Sequence, residues 1–131
     1  MDLADRVELH ELPGRYGDTI DDRNWEALST IFTNDATFDL TDLGIPMLNG
    51  LDRISQFMDT EARHPRTHMM TNIYVDETAD GVKMYFRIVA LRGAGLVDSA
   101  SYYDDVIKTP AGWRVKHRVV TRRRRPLNPA H

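Results

Sequence analysis

The sequence predicts an α+β fold in which N-terminal helices pack on one face of a curved antiparallel sheet that encloses a cavity. Apolar residues in the first half recur at intervals of three and four, which is typical of helices that bury one face. From Thr67 onward, four segments are rich in β-branched and aromatic residues, which indicates strands. Because the helices come first and the strands follow, we expect separate layers rather than alternating βαβ units.

The first predicted helix has one apolar stripe, formed by Leu9, Leu12, Tyr16 and Ile20. Pro13 lies in the middle of this stripe. Proline lacks a backbone N–H and disfavours helical geometry at the preceding residue. We therefore expect either a kink or two short helices in this segment.

Two further helices are expected before the strands begin. Asn24 is a favoured N-cap residue for the second helix. The apolar residues at helical spacing after it are Trp25, Leu28, Ile31 and Phe32. A short strand over residues 36–40 and a loop come next, and a third helix is expected over residues 50–63.

Four strands are expected in the second half, over residues 70–76, 82–91, 100–108 and 113–121. The turn sequence Asp80-Gly81 separates the first two, and Pro110-Ala111-Gly112 separates the last two. Such short turns join strands that pair side by side, so we expect antiparallel hairpins.

Length and composition predict a single globular domain. The chain has 131 residues and no cysteine, which excludes disulfides, thiolate nucleophiles and cysteine-based zinc or iron–sulfur sites and suits a reducing compartment. The N-terminal segment is charged, unlike a signal peptide. The longest aliphatic run covers residues 88–91, far short of the roughly 20 residues that a membrane helix needs. We expect a soluble, cytoplasmic protein with no membrane partner.

Charge is unevenly distributed along the chain. The formal net charge is −3, yet eight lysines and arginines and no acidic residue follow Asp105. We expect a domain over residues 1–121 and a basic tail over residues 122–131. The four arginines of residues 122–125 could form a nucleic-acid-binding arm, but they lack interleaved aromatic residues. This favours a solvated tail, or one that folds back on the acidic body, and no nucleic-acid partner.

No motif in the sequence predicts a metal or a cofactor. His64 and His68 have the four-residue spacing of a helical metal-binding pair, but Pro65 interrupts a helix there and no third ligand is evident. Gly93-Ala94-Gly95 lacks the third glycine and the following helix of a dinucleotide-binding fingerprint. We therefore expect neither a metal nor a cofactor.

Three segments match the landmarks of one family. The first combines Tyr16 and Asp21 with the run Asp35-Ala36-Thr37, the second covers residues 67–72 and the third residues 112–118. In these segments the chain resembles the SnoaL-like proteins of the NTF2-like superfamily. The resemblance implies a cone-shaped fold and a homodimer or higher homo-oligomer. It does not select a reaction, because the superfamily includes dehydratases, isomerases, cyclases, halide eliminases and non-catalytic binders.

Within that superfamily, the residue placement is most similar to the scytalone-dehydratase type. These enzymes have an aspartate late in the first helix and a histidine at the start of a sheet strand, and the two form a dyad. Asp21 and His68 occupy the matching positions. Tyr16, five residues before the aspartate, and Arg118, five residues after Trp113, match further residues of the subgroup. The resemblance therefore implies a catalytic set of Asp21, His68, Tyr16 and Arg118.

A histidine–carboxylate pair is suited to general-base catalysis near neutral pH, because the ordinary pKa of imidazole is about 6.5. If Asp21 and His68 meet in a water-poor pocket, His68 can remove a proton from a carbon beside a carbonyl and help a hydroxide leave as water. Tyr16 would hydrogen-bond the enolate oxygen, and Arg118 would balance its charge. We expect a cofactor-independent lyase or isomerase that acts on a small hydrophobic cyclic substrate, such as a polyketide-, steroid- or alicyclic-like ketone.

The residues leave several alternatives open. Asp21 belongs to an acidic cluster that could cap the helix or face solvent, and Tyr16 could simply pack in the core. Either His117 or Arg118 could face inward, depending on the register of the last strand. The second candidate function is a non-catalytic protein that binds a small ligand. Side-chain atoms of Asp21 and His68 within about 2.6–3.2 Å favour the enzyme, and a gap beyond roughly 6 Å favours the binder.

Overall fold

A computed structural model of the chain, which describes residues 1–124, contains two α-helices, three short 3₁₀ segments and six strands. The helices are α1 (Leu3–Asp21) and α2 (Leu51–Thr60). The strands are β1 (Phe32–Asp39), β2 (Leu48–Asn49), β3 (Thr67–Thr78), β4 (Gly81–Leu91), β5 (Val97–Thr109) and β6 (Gly112–Arg122). All six strands form one sheet in the order β2-β1-β6-β5-β4-β3. The predicted α+β class, with helices before a curved sheet, is confirmed.

The sheet is mixed, whereas the sequence predicted antiparallel pairing. Strands β3 to β6 do pair in succession as antiparallel neighbours. Strand β1 instead runs parallel to β6, which is the correction to the predicted sheet. A parallel neighbour needs a long crossover connection, and the chain from β2 to β5 provides it. This pairing joins residues 80 positions apart, such as Thr37 and His117, so no local turn sequence predicts it.

Helix α1 is continuous through Pro13, so of the two expected outcomes, a kink or two short helices, the second is wrong. The helix begins with a capping box, in which the side chains of Asp2 and Asp5 each accept a hydrogen bond from the other's backbone N–H. Its predicted apolar stripe is buried. A proline costs a helix interior about 3 kcal/mol. Burying each large apolar side chain contributes roughly 1.5–3 kcal/mol, so the stripe outweighs the proline.

The second predicted helix is a 3₁₀ segment, Trp25–Thr30, and Ile31 and Phe32 lie outside it. Asn24 occupies the N-cap position, but its side chain makes no capping hydrogen bond. Strand β1 begins at Phe32, earlier than expected, because this side chain is buried in the core beside Val115 of β6. Packing in the sheet therefore outweighs the helical spacing of these apolar residues.

The remaining elements lie where the sequence predicts them. Helix α2 falls within residues 50–63, and each strand of the second half covers its predicted range; β3, β5 and β6 extend it at both ends and β4 only at its start. The short strand β2 falls inside the predicted loop. In the described part of the chain, no helix is both long and apolar enough to cross a membrane.

β-Bulges in β3 and β6 interrupt the regular pairing of the sheet. In β3 the extra residue lies between Thr71 and Tyr74, where Asn72 takes a left-handed φ of 55°. In β6 the extra residue is Lys116. An extra residue increases the local twist and reverses which face of the sheet the following side chains occupy.

The apolar core lies between the helices and the inner face of the sheet. Its most deeply buried members include Leu9, Phe32, Phe38, Ile54, Met84 and Phe86. Alternation along β4 and β5 sends every second side chain into this core. Between α2, the β1–α2 connection and the sheet, the packing opens into a cavity.

The first residues of the expected basic tail lie against the domain. Arg122 is the last residue of β6, and its backbone N–H donates a hydrogen bond to the carboxylate of Asp42. Arg124 forms an ion pair with the same carboxylate at 3.0 Å. Residues 125–131, which include the last arginine of the candidate nucleic-acid arm, lie outside the described residues.

Candidate functional site

Asp21 is the last residue of α1, and its carboxylate meets the start of β3. It accepts hydrogen bonds from the His68 backbone N–H at 2.9 Å and from the Thr67 hydroxyl at 3.2 Å. The Nδ1 atom of the His68 ring lies 2.6 Å from the other carboxylate oxygen. The dipole of a helix disfavours a carboxylate at its C-terminus. These three donors compensate for that position, so Asp21 is tied to the sheet rather than facing solvent as a cap.

His68 lines the cavity, and its side chain is almost buried beside Asp21. Its side chain is 8% exposed and that of Asp21 is 13% exposed. Because Nδ1 donates to the carboxylate, the neutral ring carries its acceptor at Nε2. Within residues 1–124 no group hydrogen-bonds to Nε2, and His68 lines the cavity. The Nε2 atom is therefore available to a bound molecule.

Gly17 allows α1 to approach β3 closely beside this pair. A Cβ atom on Gly17 would lie 2.8 Å from the terminal methyl group of Met70 and 3.8 Å from the Cβ atom of His68. A larger residue would therefore require the methyl group of Met70, the flexible end of a side chain, to move. The only local sign of this role is a glycine inside an otherwise regular helix, which commonly marks a packing constraint.

Two adjoining chambers of the cavity meet at His68. The larger chamber has a volume of about 480 Å³, and the smaller one about 220 Å³. The residues that line both chambers are Leu43, Arg63, Pro65, His68 and Tyr102. Apolar walls of the larger chamber are formed by Phe38, Leu40, Ile45, Phe57 and Met58, among others. A concave, mostly apolar space of this size is typical of sites for small molecules.

Tyr16 on α1 and Tyr102 on β5 both line the larger chamber. Tyr16 is 3% exposed, and the two ring centroids lie 6.2 Å apart. Burial raises the pKa of both hydroxyls above the ordinary value of 10.0, and the positive charge of Arg118 opposes the rise without cancelling it. Both tyrosines therefore keep their protons at neutral pH and can donate hydrogen bonds. Only inward alternation along β5 marks Tyr102 in the sequence, which did not otherwise predict it.

Arg118 is buried because of the bulge at Lys116. Val115 faces the core, so strict alternation would send His117 inward, and the extra residue sends Arg118 inward instead. His117 is half-buried, and its Nδ1 atom contacts the hydroxyl of Thr37 on β1. The sequence left open whether His117 or Arg118 faces inward, and the structure shows that it is Arg118.

Arg118 forms a bidentate ion pair with Asp104 of β5, with both N–O distances at 2.8 Å. Neither side chain is exposed. Burial acts against the charge of Arg118, but the attraction and hydrogen bonds of Asp104 outweigh it and raise the pKa of the guanidinium. The sequence did not predict Asp104, although it follows Tyr102 at the next inward position of β5.

Aromatic rings surround the guanidinium of Arg118. Its central carbon lies 4.2 Å from the ring centroid of Tyr16 and 4.9 Å from that of Tyr102. The Nη1 atom has no hydrogen-bond partner among the described residues. The cation–π contacts with the rings partly compensate for the missing hydrogen bond. Arg118 lines neither chamber, contrary to the expectation that it would face a ligand. Its guanidinium instead packs against the rings of the two tyrosines that line the larger chamber.

The two histidines of the rejected metal motif have separate partners. The Nε2 atom of His64 lies 2.6 Å from the carbonyl oxygen of Met58, and its ring packs against Trp25 with centroids 5.2 Å apart. His68 is held by Asp21. Helix α2 ends at Thr60, so the two histidines do not share one helix.

Comparison with known proteins agrees with this architecture. The chain is 30% identical to the uncharacterized protein Rv2910c of Mycobacterium tuberculosis, over 92% of this chain and 87% of that protein. Among solved structures, it is similar to hexachlorocyclohexane dehydrochlorinase LinA-type3 from Novosphingobium barchaimii, with a TM-score of 0.79, 17% identity, and coverage of 98% of this chain and 94% of that one. It is also similar to an NTF2-like protein with a cystatin-like fold from Novosphingobium aromaticivorans, with a TM-score of 0.77 and 23% identity. The match covers 97% of this chain and 84% of that one. The likeness to these two structures concerns the fold.

The family follows from the sequence match together with this fold. The model of the SnoaL-like domain matches residues 1–119, which is nearly the whole described chain. The chain therefore belongs to the SnoaL-like family and has the NTF2-like fold.

Proposed function

We propose that this protein is a cofactor-independent lyase or isomerase of the scytalone-dehydratase type. One observation carries the proposal: the Nδ1 atom of His68 lies 2.6 Å from Asp21, on a histidine that lines the cavity. This distance falls in the range of about 2.6–3.2 Å expected of a base and the group that orients it. The second ring nitrogen of His68 has no hydrogen-bond partner within residues 1–124, which leaves it available to act as the base.

The chemistry of elimination follows from this arrangement. The Nε2 atom of His68 takes a proton from a carbon beside a carbonyl, and the electron pair of the broken C–H bond moves into an enolate. The imidazolium, held by Asp21, then gives that proton to a leaving hydroxide, which departs as water. The double bond forms, and His68 returns to its neutral state. Isomerisation uses the same base and returns the proton to another carbon.

The tyrosines supply donors for the enolate oxygen. Tyr16 and Tyr102 line the chamber next to His68 and keep their protons. A positioned donor in a site of low dielectric stabilises developing negative charge strongly. Arg118 acts in this proposal as a positioning residue, because its charge polarises the two rings from behind without reaching the ligand.

The substrate class follows from the walls of the cavity. A largely apolar chamber of about 480 Å³ suits a compound of one to three rings. The similar dehydrochlorinase is named for an elimination from a chlorinated cyclohexane. Loss of hydrogen chloride and loss of water both begin with removal of a proton from carbon, so the same dyad serves either reaction.

The test is a pair of variants, His68→Ala and Asp21→Asn, assayed on a panel of cyclic hydroxy ketones and chlorinated cyclohexanes. We expect His68→Ala to lower kcat by about 10²–10⁴, the usual contribution of a general base. Asp21→Asn removes the acceptor that orients the ring and should also lower kcat. Asp22→Asn, an exposed neighbour, is the matched control and should leave the rate unchanged.

Two results would count against the proposal. If turnover is found and both variants retain it, the dyad is not the base. If no compound turns over and cyclic ligands bind equally well to the wild type and to His68→Ala, the protein is the non-catalytic binder of the alternative hypothesis.

A further inference from the structure

The smaller chamber carries an excess of positive charge. Its lining includes three arginines, Arg63, Arg92 and Arg122, but only one carboxylate, that of Asp98. Arg92 and Asp98 form an ion pair with an N–O distance of 2.7 Å, so their charges compensate each other. Two arginines of the lining, Arg63 and Arg122, remain without such compensation; both are exposed residues, and the other lining is largely apolar.

Neither of these arginines has an ion-pair partner among the described residues. Arg63 follows α2 and lines both chambers, and its side chain makes no ion pair within residues 1–124. Arg122 donates only its backbone N–H to Asp42, whose carboxylate is paired with the side chain of Arg124.

We propose that the cavity binds a cyclic compound that carries a carboxylate, with the ring in the larger chamber and the carboxylate between Arg63 and Arg122 in the smaller one. This inference rests on the proposed function and specifies its substrate class. Guanidinium groups match a carboxylate in charge and in geometry, since each can donate two parallel hydrogen bonds. His68 lies at the junction of the chambers, so the reacting carbon would lie between the ring and the acid group.

The other lining residues agree with a carboxylate in the smaller chamber and a ring in the larger one. The smaller chamber offers few other polar groups, and Ser99 directs its hydroxyl to the carbonyl of Ile88 rather than to the cavity. The larger chamber includes the carboxylate of Glu61, which is bound to Arg53 outside the cavity. Among the described lining residues, the arginines without an ion pair are therefore Arg63, which lines both chambers, and Arg122, which lines the smaller one.

The experiment compares two probes that have nearly the same shape and differ in charge, 2-naphthoate and 2-naphthamide. Affinities are measured by titration calorimetry on the full chain near neutral pH and at low salt. We expect the wild type to bind naphthoate about tenfold or more tightly than naphthamide. Arg63→Gln and Arg122→Gln should each reduce this preference, and the double variant should abolish it without weakening naphthamide. Arg6→Gln, an exposed arginine on α1 that lines neither chamber, is the control.

The outcomes separate this inference from the proposed reaction. An absent preference for naphthoate, or a preference that survives in the double variant, overturns the carboxylate assignment. Loss of activity in His68→Ala decides the reaction and does not bear on that preference. Failure of either proposal therefore leaves the other measurement unaffected.

Discussion

Arg118 and Asp104 place two charges in the middle of an apolar core. A buried ion pair is not a strong source of stability, because removing both groups from water offsets their attraction. Breaking the pair is a different matter, since it leaves one charge buried without compensation. The aromatic rings around Arg118 hold the guanidinium in place but do not neutralise it.

Replacing Asp104 alone should destabilise the protein strongly. We expect Asp104→Asn to lower the free energy of unfolding by about 3–5 kcal/mol, as for other broken buried pairs. Asp105→Asn is the control: its carboxylate forms a partly exposed pair with Lys83, and such pairs contribute only about 0–1 kcal/mol. Urea denaturation followed by circular dichroism measures both. A double variant, Asp104→Leu with Arg118→Met, should recover much of the loss. Equal effects of the two single variants would contradict the interpretation that Asp104→Asn leaves Arg118 uncompensated.

The buried tyrosines predict how stability changes at alkaline pH. Burial raises the pKa of Tyr16 and Tyr102 above their ordinary value of 10.0, so the folded state holds these two protons more tightly than the unfolded state. Their contribution is fully present below about pH 10 and is lost as the pH rises above it. The free energy of unfolding should therefore fall above pH 10. In Tyr16→Phe with Tyr102→Phe, urea titrations should show a shallower fall, and an unchanged slope would argue against burial of these hydroxyls.

At the scale of elements, the connection between β1 and α2 forms part of the cavity wall. Leu43, Gly44, Ile45 and Pro46 in this connection line the larger chamber. Asp42, just before them, is tied to the end of β6 by Arg122 and Arg124. The backbone N–H of Arg122 and the side chain of Arg124 lower the pKa of Asp42 below its ordinary value of 3.8. The arginines at the end of β6 thus hold a wall of the cavity in place.

Asp42→Asn should loosen this wall. We expect faster hydrogen exchange of backbone amides in residues 41–46, because the charge-assisted contacts to Arg124 are lost. The lowered pKa means that the same contacts are present above pH 3.8 and weaken as the pH falls below it. Hydrogen-exchange mass spectrometry measures the effect, and Asp52→Asn on α2 is the control. Identical exchange in both variants would show that the contacts of Asp42 with Arg122 and Arg124 do not restrain residues 41–46.

At the scale of the whole molecule, the outer face of the sheet carries an exposed aromatic row. Tyr74, Tyr85 and Tyr103 lie side by side on β3, β4 and β5, with successive ring centroids 4.9 and 6.0 Å apart. Met69 and Val97 are exposed on the same strands. Exposed apolar side chains grouped on one face of a sheet can mark a site of association.

We expect the protein to form a homodimer or higher homo-oligomer through this face. Tyr103→Asp places a charge in the row and should shift the protein toward monomer, because an unpaired charge is costly to bury. Sedimentation equilibrium of the wild type and the variant measures the shift. Leu3→Asp, at an exposed position on α1, is the control. A monomeric wild type, or an oligomer that Tyr103→Asp leaves intact, would contradict this expectation.

The sequence alone was sufficient for the features that depend on local patterns. Apolar spacing predicted the buried stripe of α1, and β-branched and aromatic segments predicted the strands of the second half. The resemblance of short motifs predicted that Asp21 and His68 form a pair, and their side chains are in contact. Neighbours along the chain determine the helix and strand patterns, so the order of the residues already contains them, whereas the distant Asp21–His68 pair was predicted only through the family resemblance.

Only the tertiary structure decided the features that depend on distant residues. The parallel pairing of β1 with β6, the choice of Arg118 over His117 and the partnership of Arg118 with Asp104 all follow from register between strands. Burial against other elements likewise keeps α1 helical despite Pro13. It also makes Phe32 part of a strand despite the helical spacing of the apolar residues before it. Register and burial depend on which segments pack against each other in the folded protein. A local sequence pattern is compatible with more than one such packing arrangement.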